Sequence, residues 1–247
     1  MSEVLPATKI PRSGLPAHAI VVGDPRRAAL TAAMLENSCE IGSNREYVTY
    51  RGTWKGLNLT ISSHGVGGPG AMIMFQELTM AGARTIIRAG TCGAVVPQIE
   101  DGDIVIATAT VRDDGVTDQM VPPSFPGFST PEVVLALQKA AQASGHTWHR
   151  GIVWTKSLFF PGVLKPPYEL YIQAGVIAVE MELSALLVLA SLKGLQSGGI
   201  LVCDGNPTKR SSQAEYNPHR PIVESAIVRM MEITLNAMHD LAETREA

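Results

Sequence analysis

Residues 18–35, HAIVVGDPRRAALTAAML, carry the stretch that decides the fold. HAIVV (18–22) is a short unbroken apolar run, the pattern of a strand buried on both faces. Gly23 interrupts it, Asp24 stands where a helix N-cap would, and Pro25 takes the first helical position. RRAALTAAML then continues as a helix. A buried strand that passes through a tight turn into a helix is the building unit of helix-covered, largely parallel sheets.

The same alternation recurs along the chain. Strands are expected at 57–62 (LNLTIS), 84–89 (RTIIRA), 103–109, 151–155, 176–179 and 199–202, with a glycine turn, GTCG, closing the second of these. Helices are expected at about 70–81, 131–144, 166–174, 182–192 and 222–242. No repeat, low-complexity tract or long linker divides residues 1–247. The expectation is an α/β fold: a single domain with a central mixed β-sheet flanked by helices. Ligands of such sheets sit beyond the carboxyl ends of the strands. GDPRR, HGVGGPG, RAGTCG, VEME and CDG all fall at places of that kind.

Composition narrows the function classes. The 247 residues are 45% hydrophobic and 17% charged, an ordinary packed domain, and the formal net charge of -3 argues against a nucleic-acid partner. No stretch approaches 18 uninterrupted apolar residues, so no membrane span is expected, and MSEVLPATKIPRSG lacks the apolar centre of a signal peptide. Cys39, Cys92 and Cys203 are dispersed and have no metal-ligand spacing with the six histidines. These features together predict a cytoplasmic protein with reduced thiols.

Gly65, Gly67 and Gly70 spell G-x-G-x-x-G between a strand and a helix, which is the dinucleotide-binding fingerprint. That reading also wants an acidic residue at the end of the next strand, and Arg88 stands there instead. An arginine could hold the 2′-phosphate of NADP. The plainer reading is that these glycines let backbone approach a ligand or pack a helix closely.

Two arginines occupy strand ends: Arg27 in GDPRR and Arg88 in IIRA. Helix-start N–H groups favour an anion, a guanidinium adds a bidentate grip, and Thr91 offers a hydroxyl. Taken singly, first-turn arginines are usually solvated and strand-end arginines usually form surface ion pairs. Two at the ends of one sheet point to a shared anion. Other residues read as ordinary alone: Asp204-Gly205 as a turn, Met181 and Phe159-Phe160 as core, His64 as structural.

At these residues the chain resembles the hexameric nucleoside phosphorylases, the purine and uridine phosphorylase superfamily. The likeness is carried in order by VVGDPRR, SNREYVTYRGTWKG, SHGVGG, IIRAGTCG, VEMELSALL and GGILVCDG, nearly end to end. The resemblance implies that Gly23, Arg27, Arg88 and Thr91 bind phosphate, and that Arg45 is donated into a neighbouring subunit's phosphate site. It implies that Met181 and Glu182 hold the ribose, with Val66 nearby. Cys92, Gly93, Phe159, Phe160 and Glu180 would then line the base pocket. Asp204 would protonate a purine leaving group, for which its carboxyl would have to titrate above its usual 3.9 or so. Arg88 and Asp204 are thus the expected catalytic pair. Substrates would be a nucleoside and inorganic phosphate, the latter a co-substrate, with no cofactor and no metal. The assembly would be a homo-oligomer, a hexamer built as a trimer of dimers.

RAGTCG and Asp204 resemble the purine-cleaving branch, and the amide that reads uracil after F-Y-P-G is missing here, where Val163, Leu164 and Lys165 follow FFPG. Uridine stays open as a secondary substrate. Ala7 stands where the family usually has a histidine for the 5′-hydroxyl, and His18, inside the first strand, cannot easily replace it. That leaves a 5′-modified nucleoside such as methylthioadenosine, or a non-catalytic nucleoside-binding protein, as alternatives. Arg210 and Arg220 are both candidates for the arginine that assists the aspartate in some members.

Overall fold

The computed structural model describes residues 3–209 and 216–246. The strands are β1 (His18–Val22), β2 (Glu36–Asn44), β3 (Tyr47–Trp54), β4 (Leu57–Ser63), β5 (Thr85–Ala94), β6 (Ile104–Asp113), β7 (Gly127–Phe128), β8 (Trp148–Lys156), β9 (Val176–Glu180) and β10 (Gln196–Cys203). The helices are α1 (Pro25–Ala32), α2 (Gly68–Ala81), α3 (Pro131–Ser144), α4 (Tyr168–Gln173), α5 (Leu183–Lys193) and α6 (Pro221–Glu246). All strands join one mixed sheet, as the sequence predicts. Among the described residues no helix is long and apolar enough to cross a membrane.

Alternation along the central strands divides the core. Ala19, Val21, Ile86, Val105 and Leu201 face one layer with Phe75 and Leu78 of α2 and Leu186 and Leu189 of α5. Ile20, Val22, Ile87, Ile106, Ile200 and Val202 face the opposite layer with Leu137 of α3 and Met230 and Met238 of α6. Successive side chains on a strand point to opposite faces, so near-continuous apolar runs here mean a sheet covered on both sides. Leu183–Ala190 of α5 are all buried, which its apolar sequence requires.

The local signals at the first turn hold. Asp24 is extended and its carboxylate accepts from the Arg26 N–H at 2.8 Å, while Pro25 opens α1. The reading of GTCG as a turn does not hold. β5 runs on to Ala94, because Thr91 and Cys92 pair in parallel with Val202 and Cys203 of β10, and Gly93 pairs with Val179 of β9. Sheet pairing on both edges overrides the glycine cue. β2 and β3 were not expected; they form an antiparallel hairpin at the sheet's edge whose tip is Arg45 and Glu46.

β5 explains where a site can form. β10 lies along one edge of it from Thr85 to Cys92. On the other edge β1 is paired only as far as Arg88, and β9 takes over at Gly93. Between those points the neighbouring strands part, a switch point of the kind at which α/β sheets bind ligands.

Candidate active site

A cavity of about 910 Å3 opens at this switch point. Its walls come from the ends of β1, β5, β8, β9 and β10 and from the loop between β4 and α2. Gly23, Arg27, Val66, Arg88, Thr91, Cys92, Gly93, Phe159, Glu180, Met181, Glu182 and Asp204 all line it. Two expected residues do not. Arg45 is exposed at the hairpin tip with a left-handed φ of 54° and does not reach its own chain's cavity. Phe160 is 61% exposed and packs edge-on against Phe159, outside the lining. The aromatic wall is instead Phe159 with Tyr216, their ring centroids 5.3 Å apart.

One end of the cavity is cationic. Arg88 is buried; its Nε donates to Glu180 Oε2 at 3.1 Å and its Nη2 to Glu182 Oε2. Burial alone would lower the guanidinium's pKa, but Glu182 and Glu180 outweigh it and raise it. Nη1 is buried and has no partner among the described residues. Arg27 faces the same cavity and carries no ion pair among the described residues. Burial lowers its pKa, Asp24 opposes that, and the Arg88 charge adds to it. The helix-start N–H groups contribute less than expected. Arg26 N–H is committed to the Asp24 carboxylate and Arg27 N–H to the Asp24 carbonyl. An anion here rests on the two guanidiniums.

The carboxylates beside them differ in use. Glu180 also accepts from Thr155 Oγ1 and from the N–H groups of Glu182 and Leu183, at 2.9–3.0 Å for the two amides. It therefore caps α5 and anchors Arg88 while also lining the cavity. Glu182 accepts from Gly67 N–H at 2.6 Å. Here the glycine-rich loop shows its purpose. Gly67 has φ 91°, and a Cβ on Gly65 would stand 2.6 Å from Glu46 Cγ. Both positions need the missing side chain to bring backbone against the site.

The opposite end is largely apolar, with Gly93, Val179, Phe159, Pro161, Pro166 and Pro207. Cys92 is buried there and burial pushes its thiol well above the usual range, so it is a neutral wall and not a nucleophile. Asp204 follows β10, is buried, and donates its N–H to Cys92 O at 2.9 Å, prolonging the β10–β5 pairing. Its Oδ2 accepts from the Tyr216 hydroxyl at 2.7 Å. Arg220 reaches the Asp204 carbonyl, at 3.1 Å, donates to the Asn217 carbonyl at 3.0 Å, and pairs with Asp101. Arg210 lies outside the described residues. His64 is fully buried, with Nδ1 2.9 Å from Gly65 O, and burial lowers its pKa to about 4.

Tyr216, Lys156, Tyr168 and Glu46 also line the cavity and were not singled out from sequence. An available signal was Tyr216 itself, an aromatic in the polar run RSSQAEYNPHR between Asp204 and the last helix.

This geometry has relatives. Residues 17–237 match the model of the Phosphorylase superfamily. The chain belongs to the phosphorylase superfamily. It is 34% identical to the purine nucleoside phosphorylase of Plasmodium falciparum (isolate 3D7), over 98% of each chain. It is 33% identical to the uridine phosphorylase of Escherichia coli (strain K12), over 84% of this chain and 90% of that one. A crystal structure of purine nucleoside phosphorylase from Toxoplasma gondii in complex with immucillin-H superposes with a TM-score of 0.93 at 33% identity, covering 99% of this chain and 98% of that one. Both purine and uridine enzymes thus occur among the superfamily members that this chain resembles.

Proposed function

We propose that this member of the phosphorylase superfamily cleaves purine nucleosides with phosphate, giving free base and ribose 1-phosphate. The observation that carries the purine reading is Asp204: buried, hydrogen-bonded by Tyr216, and lining one cavity with Arg27 and Arg88. Phosphate sits between the two guanidiniums, where the unpartnered Arg88 Nη1 is a waiting donor, and Thr91 adds its hydroxyl. Glu182, fixed by Gly67 N–H, accepts from the ribose hydroxyls beside Met181 and Val66. A phosphate oxygen attacks C1′, and the electron pair of the C1′–N9 bond passes into the base. The proton leaves the Asp204 carboxyl for N7, so the base departs neutral. Tyr216 keeps donating to the other oxygen and stabilises the carboxylate as it forms. Holding phosphate in attack geometry supplies the larger part of the acceleration, and the acid adds about 10²–10⁴-fold.

The assembly belongs to the same reading. Arg45 at the exposed hairpin tip, and Ala7 held beside it by Asn44 (Nδ2 to Ala7 O, 2.6 Å), stand where residues offered to a neighbouring cavity would stand. The reading therefore includes a homo-oligomer, a hexamer as a trimer of dimers, on the resemblance to the hexameric nucleoside phosphorylases. A fully active monomer in sedimentation would remove Arg45 from the site.

The test is a panel of inosine, guanosine, adenosine and uridine with and without phosphate. Phosphate-dependent base release is expected, and equal release without phosphate would make the protein a hydrolase. Asp204→Ala should damage purine cleavage far more than uridine cleavage. Equal loss on both would remove the acid role.

A further inference from the structure

The polar side chains around the apolar end of the cavity fall into two groups. Asp204 and Tyr216 bond each other. Separately, Lys156 closes β8, its ammonium 3.0 Å from the Tyr168 hydroxyl. The ammonium also lies 5.5 Å from the centroid of Trp154 and 5.3 Å from that of Tyr168. No carboxylate stands within ion-pair distance of it among the described residues.

Its side of the cavity follows from the pairing. Trp154, beneath the ammonium, pairs with Val179, and Val179 pairs with Gly93. Trp154, Val179 and Tyr168 pack in one small cluster. Lys156 is thereby tied to the base-side wall. Arg88 stands where β1 leaves β5, and Arg27 lies in the first turn of α1, just beyond the end of β1. One ammonium hydrogen goes to Tyr168, which leaves two to donate. An ammonium donates and never accepts, so it matches a carbonyl and mismatches an exocyclic amine. The surrounding wall is apolar, which strengthens such a bond.

We infer that Lys156, oriented by Tyr168, selects nucleosides whose base carries an exocyclic carbonyl, favouring 6-oxopurines over 6-aminopurines. The inference rests on the proposed phosphorolysis and adds to it the base that is read. Lys156 is the selecting group and Tyr168 a positioning residue.

The experiment compares inosine with adenosine as substrates, and hypoxanthine with adenine as ligands in calorimetry without turnover. Wild type should prefer the oxo compound in both. Lys156→Met should lower inosine kcat/KM on the order of 10- to 100-fold, the range of one charge-assisted hydrogen bond, with little change for adenosine. Tyr168→Phe should move the ratio in the same direction by less, and it keeps the test valid if the methionine variant folds poorly. A wild-type preference for adenosine, or an unchanged inosine-to-adenosine ratio in active variants, overturns the role of Lys156. Absence of phosphate-dependent turnover for every nucleoside would instead sink the phosphorolysis reading. The hypoxanthine-to-adenine binding ratio then decides on Lys156 by itself.

Discussion

Replacing Gly90 by alanine tests the phosphate site through a single methyl group. A Cβ at residue 90 would lie 1.8 Å from Arg88 Nη1, 2.7 Å from Cζ and 3.0 Å from Nη2. Flexible arginines elsewhere would swing away. This one is only 4% exposed, and Glu180 and Glu182 hold its Nε and Nη2. If the guanidinium leaves, it strips its counter-charge from two carboxylates with side-chain exposures of 0% and 6%. Breaking a buried pair from one side costs about 3–5 kcal/mol. If the backbone yields instead, it must shift against β10, where Gly90 pairs with Leu201. Taking about 3 kcal/mol, Tm should fall by roughly 6–12 °C for a chain of this length. The apparent affinity for phosphate should drop with it, and kcat/KM for phosphate should fall by about 10²-fold, in line with loss of one fixed oxyanion donor. Thermal unfolding and phosphate-saturation kinetics read the two effects. Gly162→Ala is the control, because nothing lies within 4 Å of its added carbon. A Gly90→Ala protein with wild-type Tm and wild-type phosphate saturation would refute this placement of Arg88.

Tyr216→Phe keeps the ring against Phe159 and removes the hydroxyl from Asp204, so purine kcat should fall about 10-fold while KM for phosphate stays. The pH profile should move as well, and an unshifted profile with full kcat would leave the hydroxyl without a role. His64 sets an acid limit on stability. Its folded pKa of about 4 lies below the ordinary 6.5, so the unfolded chain binds the proton first as pH falls. Stability from this group is complete above about pH 6.5 and is lost towards pH 4, in total about 3 kcal/mol. Denaturant titrations of wild type and His64→Asn between those limits should show the variant's curve to be flatter, and equal slopes would contradict it.

Much of this was readable from sequence where the signal is local. The apolar run at His18–Val22, the Asp24 cap with Pro25, and the helix Pro131–Ser144 ending before Gly145 all act within a few residues. β2 was missed because ENSCEIGSN is an exposed edge strand with two register irregularities, so it has no alternation to read. The hairpin turn puts Arg45, and not glycine or asparagine, at positive φ, which removes the usual turn cue. Arg27 and Arg88 were visible as cations beside the glycine cues GDP and GTCG, although β5 runs on past Arg88 to Ala94. That Glu180 anchors Arg88, 92 positions away, depends on β9 meeting β5 and leaves no mark in either segment. Lys156 was silent for a similar reason: a cavity wall assembled from separate strands turns ordinary residues into neighbours.

The pairing of β5 with both β9 and β10 has a mechanical consequence. β5, β10, β6, β8 and β9 pair in succession and return to β5, so these five strands form a closed ring. A strand in a ring has no free side from which to peel; freeing one breaks two ladders together. Arg88, Glu180 and Lys156 belong to these strands, and Asp204 follows directly on one of them. Their amide hydrogens should exchange with solvent only through openings near the global unfolding cost. The β2–β3 hairpin, with one side bare, should exchange first. The chemistry is mounted on the slowest-opening part of the chain, and Arg45 on the fastest.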